Sequence, residues 1–181
     1  MAFLDVIRNF FGPAFVAEPE LVVPAPPMEY YIRPLTLEHT SEVLRLNIRC
    51  FKNGDNYTRY TFDYLLDRPG TLSYRMVTVA GEMVGFAFVI VNENNAAHLT
   101  TIGVAPEHRR RGLAGRLLEH VEASLRNRGV TTLMLEVRVG NIQAQDLYRR
   151  HRFTTVQRIG RYYTNGEDCF LMMKPVNFAS F

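Results

Sequence analysis

From Met28 onward the apolar positions switch repeatedly between a period of two and a period near 3.6, the signatures of strands and of amphipathic helices. Residues 29–34 read as a strand, and residues 38–51 as a helix with Leu44, Ile48 and Phe51 spaced for one face. Asn53-Gly54 turns the chain, and a second helix is expected over 58–67. Residues 73–79 and 83–91 form two strands joined by a hairpin at Ala80-Gly81-Glu82. After the polar turn 92–95 comes a strand over 97–104. Leu113, Leu117, Leu118, Val121 and Leu125 then trace one apolar stripe along a helix over 112–128, which Gly129 ends. Residues 132–139 alternate strictly, with Leu133, Leu135, Val137 and Val139 on one face and Met134, Glu136 and Arg138 on the other. Asn141 can cap a helix over 142–151, where Ala144, Leu147, Tyr148 and His151 share a side. Two closing strands, near 153–160 and 168–174, flank a turn at Asn165-Gly166.

The strand–helix–strand unit 97–139 predicts a parallel pair with a right-handed crossover, whereas the hairpin must be antiparallel. The expected fold is α/β with a mixed sheet and helices packed on it. Upstream, residues 2–11 are spaced for a short helix that Gly12-Pro13 breaks, and the prolines of 16–27 make an extended linker. The expected organisation is an N-terminal extension (1–27), one globular domain (28–176) and a short tail (177–181). Residues 1–27 are open to three roles: packing on the domain, forming a homodimer, or hanging as a tail.

A hydrophobic fraction of 47% supports a core and argues against disorder. No apolar run is long enough to span a membrane, and the N-terminus lacks the basic start and cleavage site of a signal peptide. A cytoplasmic protein is expected. Cys50 and Cys169 have no ligand spacing, so neither a disulfide framework nor a metal site is expected. The net charge is +3, and Arg109, Arg110, Arg111 and Arg116 concentrate the basic charge in one short stretch. So compact a cluster suits a phosphate group better than a long polyanion, and nucleic acid is disfavoured as a partner.

That cluster lies between the strand ending at Val104 and the helix beginning at Gly112. Free N–H groups at a helix start, with the helix dipole behind them, bind anions. Gly112, Ala114 and Gly115 allow a phosphate to approach the backbone closely. A plain helix start with a solvated basic turn would explain the glycines alone, but not their place between these two elements.

Arg109-Arg110-Arg111-Gly112-Leu113-Ala114 resembles the Arg/Gln-x-x-Gly-x-Gly/Ala signature of the GNAT superfamily of N-acetyltransferases. The strand His98–Val104 is similar to that family's fourth strand, and Leu135-Glu136-Val137-Arg138 with Asn141, Ala144 and Leu147-Tyr148 to its fifth strand and following helix. The stretch Arg161-Tyr162-Tyr163 to Glu167-Asp168 resembles the RimI-type branch, which acetylates ribosomal-protein N-termini. The chain departs from that branch in having no tryptophan: Cys50–Tyr57 stands where the branch carries a Pro-Trp element.

The resemblance implies a mostly antiparallel sheet splayed between strands four and five, with acetyl-CoA in the gap. It implies cofactor contacts from the backbone of Ile102 and Val104, from Arg109, Arg110, Arg111, Gly112, Leu113, Ala114 and Gly115, and from Asn141. Tyr148 matches the family's general acid and also meets the cofactor, and Glu136 matches the branch's general base. A core tyrosine, and a carboxylate paired with Arg138, are the plain structural readings of these two. His98, taken to share a strand face with Thr100, Ile102 and Val104, is the rival base, or simply a packed histidine. Tyr162, Tyr163 and Glu167 are candidates for the acceptor groove, and no metal is implied. The acceptor is then a peptide or protein N-terminus, a ribosomal protein included, with a small amine such as a polyamine as the alternative. A non-catalytic acyl-CoA-binding module would need neither Tyr148 nor a base.

Overall fold

The computed structural model describes residues 22–51 and 56–176. The helix expected over 2–11, the turn at Asn53-Gly54 and the tail 177–181 lie outside the described residues. The strands are β1 (Tyr30–Pro34), β2 (Thr71–Thr78), β3 (Met83–Val91), β4 (Ala96–Val104), β5 (Thr132–Arg138), β6 (Thr154–Ile159) and β7 (Cys169–Pro175). The helices are α1 (Thr40–Cys50), α2 (Arg59–Asp67), α3 (Leu113–Arg126) and α4 (Ile142–Arg150). One sheet runs in the order β1-β2-β3-β4-β5-β7-β6. All neighbours are antiparallel except β4 and β5, as the crossover through α3 requires.

The parallel pairing is short. Ala96, Ala97 and His98 face Thr132, Leu133 and Met134, and beyond those pairs the two strands part. By contrast β5 stays paired with β7 along its whole length, from Thr132 to Arg138. The sheet is therefore open on one side of β4 from Leu99 onward, and the functional cleft lies there.

β3 is buried from Met83 to Ile90, a continuous apolar run sandwiched by helices on both faces. A methyl group added to Gly85 would meet Leu117 of α3 at 3.3 Å. One added to Gly103 would meet the Phe86 ring at 2.7 Å and Cys50 Sγ of α1 at 3.1 Å. These glycines thus let α3 close on one face and α1 on the other. The α3 stripe is buried as expected, and Val130 N–H returns to Leu125 O at 3.1 Å beyond Gly129 at φ +70°, a capped helix end.

Two expectations need correction. On α1 the buried positions are Thr40, Val43, Leu46 and Asn47, while Ile48 is 48% exposed. Asn47, a polar residue, hid the true stripe: it is fully buried and donates to Asn56 Oδ1 at 3.2 Å. On β4 a bulge changes the faces. Phe88 pairs with Thr101 and Val89 with Leu99, so Thr100 is an inserted residue. His98 therefore shares a face with Thr101 and Gly103, whereas Leu99, Ile102 and Val104 share the other.

Candidate active site

The parting of β4 and β5 leaves backbone groups without strand partners. Ala105 N–H donates to Val84 O of β3 at 2.8 Å, so alternation turns the N–H groups of Val104 and Ile102 toward the gap. Val104 O faces that way too and accepts from Arg109 Nε at 3.0 Å. At the far end the chain enters α3 through Arg110 at φ +62° and Gly112 at φ +73°. No atom stands within 4 Å of where a Gly112 side chain would begin, so the helix start opens onto free space. A cleft of about 1040 Å³ runs from this helix start along β4 to Tyr148. A left-handed glycine beneath an open volume, free α3 N–H groups and two inward N–H groups on β4 fit an elongated acyl-CoA with its diphosphate at the helix N-terminus.

The arginines do not act as one charged cluster. Arg109 also donates to Cys50 O at 3.0 Å, Arg116 donates to Tyr30 O at 2.9 Å, and Arg111 is bound to residues 25–30. Among the described residues Arg110 has no protein partner, and it lines the cleft mouth with Arg150 of α4. Leu113, Ala114 and Gly115 also line it, and a Cβ at Gly115 would meet His151 Nε2 at 3.0 Å. Asn141 caps α4, accepting from Ala144 N–H at 3.1 Å, and borders the same cleft.

A second hollow, about 770 Å³, adjoins the first. Phe51, Ile102, Asn141, Ala144 and Tyr148 border both, so the two communicate through the splayed sheet. Tyr148 stands at the junction. Its ring packs edge-on against Phe153 at 5.6 Å, and its hydroxyl has no hydrogen-bond partner among the described residues. Burial pushes its phenol well above the ordinary range, so it stays protonated.

Glu136 opens into the second hollow, and its partner is His98 rather than Arg138. His98 Nε2 lies 2.6 Å from Glu136 Oε2, with the two side chains 1% and 5% exposed. Their bond bridges β4 and β5 just beyond the last paired residues, His98 and Met134. With Glu136 ionised, this bond needs a proton on His98 Nε2. Among the described residues Glu136 Oε1 is buried without a hydrogen-bond partner, a costly state for a carboxylate oxygen unless a ligand completes it. Of the two rival bases, Glu136 borders the hollow and His98 stands behind it.

Arg138 turns to Glu167 and Tyr163 instead. It forms an ion pair with Glu167 at 2.5 Å and lies 3.7 Å from the centre of the Tyr163 ring. Burial alone would raise the Glu167 carboxyl, but the Gly140 N–H at 2.8 Å and the Arg138 guanidinium outweigh it and hold it below the usual range. A Cβ at Gly140 would sit 2.9 Å from Glu167 Oε1, so a larger residue there would push the carboxylate aside. Tyr162 and Tyr163 stack edge-on at 5.1 Å and form one wall. Glu167 thus positions Arg138 and the strand end; it is not a lining residue of the hollow.

Three residues that sequence reasoning passed over also matter. Tyr57 lines the hollow and donates to Thr100 O at 3.0 Å, bracing the bulge. Gln145, 2% exposed, donates to Arg138 O and Val139 O and secures the end of β5. Arg150 stands at the cleft mouth. A buried glutamine on a polar helix gives no periodic signal, and neither does a tyrosine in a loop.

Residues 40–153 match the model of the acetyltransferase (GNAT) family. The chain belongs to this family. An N-alpha-acetyltransferase from Saccharolobus solfataricus is 28% identical over 160 residues, covering 82% of this chain and 94% of the relative. The [ribosomal protein bS18]-alanine N-acetyltransferase of Escherichia coli is 40% identical over 106 residues, covering 56% of this chain and 70% of the relative. The crystal structure of the Escherichia coli ribosomal-protein-S18-alanine N-acetyltransferase superposes with a TM-score of 0.76 at 30% identity, covering 84% of this chain and 97% of that one. The protein is an acyltransferase that uses acetyl-CoA, and its mixed, splayed sheet is the family's fold.

Proposed function

We propose that this acetyltransferase modifies the N-terminal α-amine of a peptide or protein. Glu136, which lines a hollow walled by Tyr57, Tyr162 and Tyr163 and whose buried Oε1 has no hydrogen-bond partner among the described residues, is the observation that carries the reading. When bound, acetyl-CoA supplies a thioester carbonyl for an amine to attack and a thiol as leaving group. The N–H groups of Ile102 and Val104, with Arg110 and residues 112–115 at the α3 start, would hold the cofactor from one side, and Asn141 would hold it from the other. An α-amine has a pKa of about 7.7–8.0 and arrives largely protonated at neutral pH. Glu136 takes that proton, directly or through one water, and His98 fixes the carboxylate in place. The Val104 N–H turns toward the gap, where it would donate to the thioester oxygen as negative charge develops there. As the amine nitrogen bonds to the acetyl carbon and sheds its second proton to solvent, Tyr148 would give its proton to the departing sulfur and regain one from solvent, and Glu136 would release to solvent the proton it took.

The aromatic walls suit the backbone and first side chain of a peptide. A polyamine would call for further carboxylates, yet Glu136 is the only acidic residue bordering the hollow among the described residues. The names of the relatives above support the same ranking. No helix among the described residues is long and apolar enough to cross a membrane. The test is release of CoA thiol from acetyl-CoA in the presence of N-terminal peptides, spermidine and other amines. Turnover on peptides with particular first residues, including the N-terminus of a bS18-type protein, is expected. Turnover on small amines alone would refute the proposal.

A further inference from the structure

The segment before β1 is fastened to the phosphate loop by a tight set of bonds. Ala25 N–H donates to Glu107 O at 2.9 Å. Arg111 donates to Pro26 O at 2.7 Å and to the Tyr30 hydroxyl at 2.8 Å, and its other terminal nitrogen donates to Ala25 O. Tyr30 Oη, which accepts from Arg111, also shares a hydrogen bond with His108 Nδ1, 3.0 Å away. Tyr30 and His108 are 7% and 3% exposed, so the bond between them is sheltered from water. Arg116 Nη2, one turn into α3, closes the set on Tyr30 O at 2.9 Å.

The loop needs such bracing. Arg110 occupies a left-handed conformation that a non-glycine residue adopts at a cost, and Gly112 follows in the same region. Arg111, between them, uses both terminal nitrogens on residues 25, 26 and 30. Its charge is thus turned away from the cleft, which Arg110 lines and Arg111 does not. Residues 25–29 lie just ahead of β1, so the brace is built partly from the segment that leads into the sheet.

We infer that residues 25–30 form a strap, riveted by Arg111, that holds the 107–112 loop in the shape that receives the diphosphate of acetyl-CoA. Arg111 is a positioning residue for the cofactor and does not grip phosphate. The inference rests on the reading that the α3 start is the diphosphate site. Calorimetric titration of CoA into the full-length protein tests it, with three variants. Arg111→Lys keeps the charge but offers one nitrogen in place of the two that reach residues 25, 26 and 30, and it should weaken CoA about tenfold, or ~1.4 kcal/mol. Tyr30→Phe touches no phosphate, removes the link between Arg111 and His108, and should weaken CoA about threefold, or ~0.6 kcal/mol. In both, the KM for acetyl-CoA should rise while kcat and the KM for peptide stay put, and loop amides 107–112 should exchange hydrogen faster. Unchanged CoA affinity in both variants would overturn the strap, whatever happens to melting temperature. Tighter binding in Tyr30→Phe would also overturn it, because a released Arg111 would then be gripping phosphate. Gly112→Glu separates the two levels of the argument: if it binds CoA normally, the diphosphate site itself is misplaced.

Discussion

Replacing Glu136 with glutamine tests the chemistry at its most exposed point. The change is close to isosteric. The glutamine oxygen can take the place of Oε2 and accept from His98 Nε2, so the bridge between β4 and β5 survives. The amide nitrogen then falls where the unpartnered Oε1 stood, placing a donor where the reaction needs an acceptor. Loss of a general base costs about 10²- to 10⁴-fold in rate. The pH profile carries further information. For an α-amine of pKa about 7.7–8.0, roughly a tenth is neutral at pH 7 and nearly all at pH 9. The variant should therefore recover about tenfold over that range and then level off. A lysine amine, with a pKa of about 10.4, would instead gain about a hundredfold with no plateau by pH 9. Steady-state kcat/KM for a peptide acceptor, measured from pH 6.5 to 9.5 in both proteins, reads both effects. A loss smaller than about threefold at pH 7, with melting temperature unchanged, would remove Glu136 as the base.

Three further outcomes are expected. Tyr148→Phe keeps the packing on Phe153 but removes the buried proton donor, so kcat should fall about 10²-fold or more while CoA affinity holds; unchanged turnover would dismiss Tyr148 as the acid. Gly112→Glu forces a side chain into a left-handed position and sets negative charge over the helix start, so CoA binding should vanish in a calorimetric titration while the fold, read by circular dichroism, remains. The Glu167 carboxyl is held below its ordinary pKa, so its contribution to stability is complete above about pH 4.3 and is lost as pH falls through the lower folded value. Glu167→Gln should therefore flatten the acid side of the stability curve measured by urea unfolding, and an acid limb identical to that of the parent would contradict this.

The order of elements and the cofactor motif were legible in the sequence because each has a local cause. The leucine stripe of α3, the alternation along β5 and the Gly112 turn all declare themselves within a few residues. What stayed hidden depends on contacts between distant segments. The bulge at Thr100 reverses the faces of β4, and no period along one strand announces an inserted residue. The register that pairs His98 with Met134 sets it on the face of Glu136 and makes one hydrogen-bonded pair of two candidates that had seemed rivals. Arg138 looked like the partner of Glu136 because both stand on one face of β5; across the sheet Glu167 offered a better one, fixed by the Gly140 N–H. The arginine run looked like a single phosphate grip. Arg109 and Arg111 instead tie down Cys50, Val104 and the segment before β1, and leave Arg110 to face the cleft.

Acceptor identity is tested most directly by mapping the acetyl group. The protein, acetyl-CoA and matched peptides, one set with a free α-amine and a lysine and one with the α-amine blocked, are incubated together with spermidine as a competitor, and the products are sequenced by tandem mass spectrometry. The account predicts one acetyl group on the α-amine of the free peptides and none on blocked peptides, lysine side chains or spermidine. Acetyl groups on spermidine or lysine, with untouched α-amines, would contradict it.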